Sequence, residues 1–503
     1  MLRVLIGIVL ALPLYEFVRW QALKRMRERL RRKAQQFAEQ HGVRVDLFKF
    51  GGKALVREEL VNDRVIVRAM MAAVDAGERP TEVRERVEEY IDEIVPAFSL
   101  TAYFEFGMKL ARAAIRAVYR PLVVKPPPQL PEDATAVFLI NHRSNFDYVV
   151  VGWALARQVA ISYAVGEWAR IFPLDALFKA FGGFFVRRGF PDPLYHTVLR
   201  RYLQLITRRG VTQGIFPEGG LTRDGALRPP KVGLLDSILQ LCDEREIWFV
   251  PVGINYDRVL EDEALLAELR GRENPPGRAE KVRNALRLLW IVPWRVAVNG
   301  LRVATGRLQR HGYVAVAFGE PVRFRDLPVA KRIAGMSAEE RRNAARQVAA
   351  ELMERITRLI PATPVPLVAR AALDLGCDAS EGDLAVRIRE LRARLEEQGV
   401  PSALGREFDA HRAARAELEA DEDRNRDLSR VEAEVLASEE AEEIVRLGLE
   451  RLVQRGALSL RRGRVGAGTH PHASELLAYY ARSLAVLEQQ VSRRPEAQLG
   501  LMP

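Results

Sequence analysis

Ala136-Val137-Phe138-Leu139-Ile140-Asn141-His142-Arg143-Ser144-Asn145-Phe146-Asp147-Tyr148-Val149-Val150-Val151-Gly152-Trp153-Ala154-Leu155 is the stretch that decides the fold. Its first five residues form an unbroken apolar run, the pattern of a strand buried on both faces. Its last eight read as the start of a helix. The polar turn between them carries His142 and Asp147 with four residues separating them. On a strand-to-helix turn the carboxylate can fold back onto the imidazole, hold one ring nitrogen and leave the other as a base. Alone, the spacing is also that of a surface turn with a His–Asp hydrogen bond, so its neighbours decide its meaning.

Outward from this stretch, short apolar runs recur at Ile161–Val165, Gly183–Val186, Gly214–Phe216, Trp248–Ile254 and Tyr313–Phe318. Helical segments separate several of them. Pro193–Thr207 places Leu194, Val198, Tyr202 and Leu205 on one face behind Asp192 as a candidate cap, and Gly233–Leu241 is a second such segment. The alternation predicts an α/β domain whose mostly parallel sheet is flanked by helices, with a site at the carboxyl ends of the strands. Three more polar clusters fall at such ends. Gly182–Gly189 finishes a strand with adjacent Arg187 and Arg188, of which one can point into a site. Ile215–Gly225 runs a strand into a glycine-rich turn with Glu218 at its lip, and Arg223, Arg228 and Lys231 follow. Val250–Tyr256 is a buried strand interrupted by Pro251.

At 503 residues the chain exceeds one simple domain. We divide it into a membrane-anchoring or interfacial helix with a basic flank (1–34), a helical region (35–125), the α/β domain (126–360, with an insertion at 258–311) and a helical carboxyl-terminal region (361–503). Pro126-Pro127-Pro128 and Pro361, Pro364 and Pro366 mark the boundaries. Val4–Tyr15 is uncharged and almost wholly apolar, and the segment after it is rich in Arg and Lys. That pattern suits either a short span with the body on the cytoplasmic side or an interfacial helix on anionic lipid. In the insertion, Leu286–Arg295 sets two tryptophans among apolar residues, which fits a membrane interface or packing onto the domain. Glu82–Val95 and Thr101–Tyr119 read as amphipathic core helices, and Gly456–Leu460 with Arg464-Val465 as a small hairpin. A net charge of +11 points to anionic partners without choosing among them. The only cysteines, Cys242 and Cys377, exclude a disulfide framework and a cysteine zinc site. His470 and His472 read as loop residues, so no metal is expected.

Together and in this order, the four polar clusters resemble the sequence blocks of the glycerolipid acyltransferases, above all the glycerol-3-phosphate acyltransferases of the bacterial membrane and mitochondrial type. Gly312–Val322 and Glu475–Ser483 resemble later parts of the same family. The resemblance implies transfer of a fatty acyl group from acyl-CoA or acyl carrier protein to the sn-1 hydroxyl of glycerol 3-phosphate, the first step of phospholipid synthesis. It implies no cofactor beyond the donor, an anionic phospholipid membrane as partner, and a place on the cytoplasmic side of the cell inner membrane. His142 would be the general base, oriented by Asp147. Glu218 would bond acceptor hydroxyls or support His142, and the backbone around Gly219 would hold the oxyanion. Arg187, Arg188, Arg223, Arg228 and Lys231 would hold phosphate. One position departs: Leu221 stands where the family often has an arginine. That leaves dihydroxyacetone phosphate or a lysophospholipid open as acceptor. The competing class is a non-catalytic lipid-binding protein of the same fold. Nucleic acid is not expected, for want of any binding motif. The carboxyl-terminal helices read as a cap on the catalytic domain or as a homodimer contact.

Overall fold

A computed structural model of the chain describes residues 52–98, 107–166, 178–273, 310–405 and 426–492, apart from 132, 157, 180–181, 188, 242–243, 331–332 and 377, together with isolated residues 21, 32, 103, 408, 409 and 413. Val4–Tyr15, nearly all of the basic flank, Leu286–Arg295 and Arg188 lie outside the described residues. Among those described, no helix is long and apolar enough to cross a membrane.

The chain opens with α1 (Gly52–Val61), α2 (Arg64–Asp75), α3 (Pro80–Ile94) and α4 (Met108–Val118). Asp63 caps α2 by accepting from the Val65 and Ile66 N–H groups. The spacing of Val83, Val87, Tyr90, Ile91 and Ile94 gives α3 one buried face. The helical region ends earlier than the sequence suggested. Arg120–Lys125 is strand β1, paired in parallel with β7 (Tyr313–Phe318) alone. An edge position leaves one side of the strand without a ladder, where Pro121 lacks nothing by having no N–H.

The remaining sheet strands are β2 (Thr135–Ile140), β3 (Ser162–Gly166), β4 (Phe184–Val186), β5 (Gln213–Ile215), β6 (Ile247–Tyr256) and, after β7, β8 (Val322–Arg323). The order is β1-β7-β6-β2-β5-β3-β4, with β8 also on β6. All pairings are parallel except those of β7 and β8 with β6. The expected mostly parallel sheet with flanking helices is therefore the architecture. Pro251 lies in β6 between the residues that pair with β8 and those that pair with β7. Its missing N–H thus falls where the antiparallel partner changes.

Side-chain alternation along the sheet divides the core. Ala136, Phe138 and Ile140 face one apolar cluster with Val250, Val252 and Ile254; Val137 and Leu139 face another with Phe249. On the first side lie α4, α5 (Asp147–Leu155), α8 (Asp262–Glu273) and, from the carboxyl-terminal region, α10 (Pro364–Leu375), α11 (Glu381–Glu397), α12 (Arg426–Gln454) and α13 (Ala473–Ala481). On the second lie α7 (Gly233–Leu239) and α9 (Ala338–Leu359), the latter opened by a Ser337–Glu340 capping box. A third cluster joins α1–α3 to β4 and α6 (Pro193–Arg208), whose first turn Asp192 caps through the Leu194 N–H. The amino-terminal helices thus share their core with the sheet domain. The hairpin β9 (Leu458–Arg461) and β10 (Arg464–Ala467) forms as expected, turning at Arg462 (φ 52°) and Gly463 (φ 73°). A last helix, α14 (Ala485–Ser492), closes the described chain.

The end of α9 crosses β6 at Gly253. A Cβ there would lie 2.3 Å from the Leu359 carbonyl carbon and oxygen, both backbone atoms that cannot rotate away. Gly253→Ala is expected to destabilise the fold by about 1–3 kcal/mol, read as a lowered midpoint in urea unfolding.

Candidate active site

The turn after β2 has an acceptor for every backbone N–H from Asn141 to Asp147, and its bracing begins with Asn141. Its side chain continues the sheet where the backbone leaves it: Nδ2 donates to Ile254 O at 3.0 Å and Oδ1 accepts from Ile254 N–H at 2.7 Å. The Asp147 side chain, at the start of α5, then folds back over the turn. Its Oδ2 accepts from the Arg143 N–H (2.8 Å) and the Ser144 N–H (3.1 Å), and lies 2.9 Å from His142 Nδ1. Its Oδ1 accepts from the Tyr256 hydroxyl at 2.6 Å. A carboxylate receiving three other donors is an acceptor toward the imidazole too, so Nδ1 carries the proton and Nε2 keeps its lone pair. The ring stacks on Phe216 with centroids 4.0 Å apart. His142 and Asp147 are 2% and 0% exposed, so the pair sits out of bulk water.

The His142 backbone is gripped from the Glu218 turn. Glu218 Oε1 accepts the His142 N–H at 2.7 Å, and the His142 carbonyl accepts the Thr222 N–H at 3.1 Å. Glu218 Oε2 accepts the Arg228 N–H at 2.9 Å. Glu218 therefore acts on His142 through the backbone; its carboxylate braces two peptides. Burial pushes this carboxyl up to about 7, against the two N–H donors, which favour the charged form. Gly219 (φ +64°) continues the turn, and its own N–H already donates to Phe216 O at 3.0 Å. Of the amides around Gly219 expected to face the oxyanion, its own is thus occupied. The next amide, of buried Gly220, has no acceptor among the described residues and lines the same cavity as His142.

That cavity has a volume of about 720 Å³. Of the expected phosphate residues, Arg187 and Lys231 line it, while Arg223 and Arg228 do not. The Arg187 guanidinium is chelated by Glu93 of α3, with Nε 2.8 Å from Oε1, and lies over the Phe190 ring at 4.5 Å. Arg223 Nη2 lies 2.6 Å from Glu268 of α8, and its Nη1 donates to Leu221 O. Arg228 Nη1 lies 3.4 Å from the same carbonyl. Acids distant in sequence therefore already engage Arg187 and Arg223. Pro251 stands apart from the cavity, at the ladder break.

Three supports lay outside the expected set. Tyr256 fixes Asp147. Glu261 accepts from the Ser144 hydroxyl (2.7 Å) and the Asn145 N–H (2.9 Å), pinning the far side of the turn. Arg143, 2% exposed, donates from Nη1 to Gly225 O at 3.0 Å and lies over the Tyr479 ring at 5.6 Å. Gly225 (φ +88°) abuts the Tyr479 carbonyl so closely that a Cβ would come within 1.9 Å of its oxygen. The next residue, Tyr480, donates to Asp262 Oδ2 at 2.5 Å, and Arg455 chelates the same carboxylate. The carboxyl-terminal helices thus back both the Glu218 turn and the residue beside Glu261. Asn255 in the quoted fourth cluster also bonds to them, through the Ser483 hydroxyl.

Two outcomes follow from these contacts. Tyr256→Phe deprives buried Asp147 of a donor and is expected to cost about 1–3 kcal/mol in unfolding free energy, measured in urea. Glu218 binds its proton more tightly folded than unfolded, so its contribution to stability is present below about pH 4.5 and is lost as the pH rises through about 7. Glu218→Gln sets an NH₂ against a backbone N–H and is expected to be less stable at every pH. The wild-type advantage is expected to shrink by ~3 kcal/mol between pH 4.5 and 8, read from unfolding curves across that range.

The sequence that builds this site has relatives among known proteins. A family profile described as Acyltransferase matches residues 122–255, and one described as Glycerol-3-phosphate acyltransferase C-terminal region matches residues 299–447. A Mycobacterium tuberculosis protein named "Putative acyltransferase plsB1" is 30% identical over 335 residues, covering 64% of this chain and 50% of that protein. The glycerol-3-phosphate acyltransferase of Aeromonas hydrophila is 30% identical over 285 residues, covering 54% of this chain and 33% of that protein. The chain therefore spans half or less of the length of these relatives. The crystal structure of the 1-acyl-sn-glycerophosphate acyltransferase PlsC from Thermotoga maritima aligns at 14% identity and a TM-score of 0.27, covering 60% of this chain and 95% of that one. The two profiles together take in more than half of the sequence, and they fall on the sheet that carries His142 and on the helices that follow it, from α9 into α12: the chain belongs to the glycerol-3-phosphate acyltransferase family of the glycerolipid acyltransferase superfamily.

Proposed function

We propose that this protein transfers a fatty acyl group from a thioester donor, acyl-CoA or acyl carrier protein, to the sn-1 hydroxyl of glycerol 3-phosphate at the cytoplasmic face of an anionic membrane. The observation that carries the reading is the closed His142–Asp147 turn, whose carboxylate engages Nδ1 and whose imidazole lines a cavity. In the proposed step Nε2 takes the proton of the acceptor hydroxyl as its oxygen attacks the thioester carbonyl. Asp147 holds the resulting imidazolium in place. The Gly220 N–H is the donor we assign to the oxyanion, a contribution of about 3 kcal/mol in comparable sites. Collapse then expels the thiolate, which recovers the proton from His142, so neither a covalent enzyme intermediate nor a metal is required. Among the described residues there is no cluster of potential metal ligands. The basic amino-terminal flank supports the membrane assignment.

Leu221, and the engagement of Arg223 by Glu268, favour keeping a second acceptor class, dihydroxyacetone phosphate or a lysophospholipid. An acceptor panel with one radiolabelled acyl thioester decides between them. With glycerol 3-phosphate, His142→Ala is expected to lower kcat by about 10²–10⁴ with its circular dichroism spectrum unchanged. Full activity of that variant would refute the mechanism, and absence of turnover by the wild type with every acceptor would favour a non-catalytic lipid-binding role.

A further inference from the structure

The cavity beside His142 extends to a group of three cations, two of which the motifs do not include. Arg200 of α6, Arg342 of α9 and Lys231 from the loop after the Glu218 turn all line it. Their sequence neighbours are paired. Arg201 chelates Asp63, with Nη2 at 2.6 Å from Oδ2, and Arg341 meets Asp236 at 3.1 Å. By contrast, the side chains of Arg200, Lys231 and Arg342 have no ion pair or hydrogen bond among the described residues, and all three residues are exposed. Asp236 also lines the cavity, but Arg341 and the Gln240 amide already hold its carboxylate. Three like charges from three separate elements therefore line one opening, and among the described residues that line it no acid is left free to balance them. Such an arrangement is favourable when an anion with several charges fills it, and guanidinium groups match phosphate oxygens in pairs.

The group is placed for the donor. The Lys231 stem lies across the Glu218 turn, its Cδ 2.6 Å from where a Gly219 Cβ would be, so this cation borders the reacting end. Arg200 and Arg342 come from the helices α6 and α9, and Phe216, Leu199, Leu203 and Leu234 give the same cavity apolar lining. A small acceptor carries its phosphate close to its reacting hydroxyl. A coenzyme A thioester carries its phosphates at the far end of a long pantetheine arm, and a cavity of about 720 Å³ has room for part of that arm. We propose that Arg200, Arg342 and Lys231 form a phosphate-binding rim for the nucleotide end of a coenzyme A thioester whose acyl end reaches His142. The assignment rests on the acyltransferase reading above.

The test uses the full chain with Arg200→Glu/Arg342→Glu, and Arg342→Gln alone as the milder variant should the pair fail to fold. Isothermal titration with coenzyme A, which needs no turnover, is expected to show affinity falling at least about tenfold, with a weaker salt dependence than in the wild type. In steady state the KM for acyl-CoA is expected to rise, while the KM values for acyl-pantetheine, which lacks the nucleotide, and for glycerol 3-phosphate stay at wild-type levels. A rise confined to the KM for glycerol 3-phosphate would give the rim to the acceptor and overturn the proposal. So would a loss confined to acyl carrier protein, or coenzyme A binding that equals the wild type in a folded variant. If the wild type binds coenzyme A through these residues but turns over no acceptor, the acyltransferase reading fails and the rim stands.

Discussion

The structure of the site depends on one buried carboxylate. Glu218 accepts the His142 N–H on one oxygen and the Arg228 N–H on the other. Without it, the turn after β2 would have a buried donor with no acceptor, and the loop from Gly219 to Lys231 would lose one of its ties to the sheet. Because both bonds go to backbone, the brace fixes where the imidazole begins. Asp147 and Phe216 then fix where it points. The position of the base is thus over-determined from two strands, β2 and β5, that are neighbours in the sheet but about 75 residues apart in sequence.

Most of the sheet was legible because its strands are buried on both faces and read as plain apolar runs. β1 was not, since Pro121 and a preceding amphipathic helix mask a short edge strand. At the site, His142, Asp147 and Glu218 were legible as motif residues, and support of His142 by Glu218 was one of two readings, but the route of that support through the peptide N–H was not. A motif displays side chains, whereas the brace acts on peptide groups. Tyr256 and Glu261 were invisible for another reason. Their bonds to Asp147 and Ser144 span 109 and 117 residues, and no local spacing encodes them.

Charge was the least legible quantity. The sequence offers Arg187 and Arg223 as free cations, yet Glu93 and Glu268 reach them from α3 and α8. An arginine at a strand end can grip phosphate or fasten a helix, and only its three-dimensional neighbours distinguish the two. The same neighbours single out Arg200 and Arg342, which belong to no motif. Excess positive charge in the composition therefore says that anions matter, while the ion-pair map says where.

The contacts of Arg143, Gly225 and Asp262 with Tyr479, Tyr480 and Arg455 bear on what a minimal catalytic unit would be. The motif-bearing segment ends well before those residues, and the prolines near 361 look like a natural place to cut. A fragment ended there would strand the Arg143 guanidinium without its aromatic cover and leave the Asp262 carboxylate buried beside Glu261 with no counter-charge. The carboxyl-terminal helices are thus a backing for the loops that carry the site. A shortened chain of this kind therefore has to keep the segments that carry Arg455, Tyr479 and Tyr480 if the site is to keep its backing.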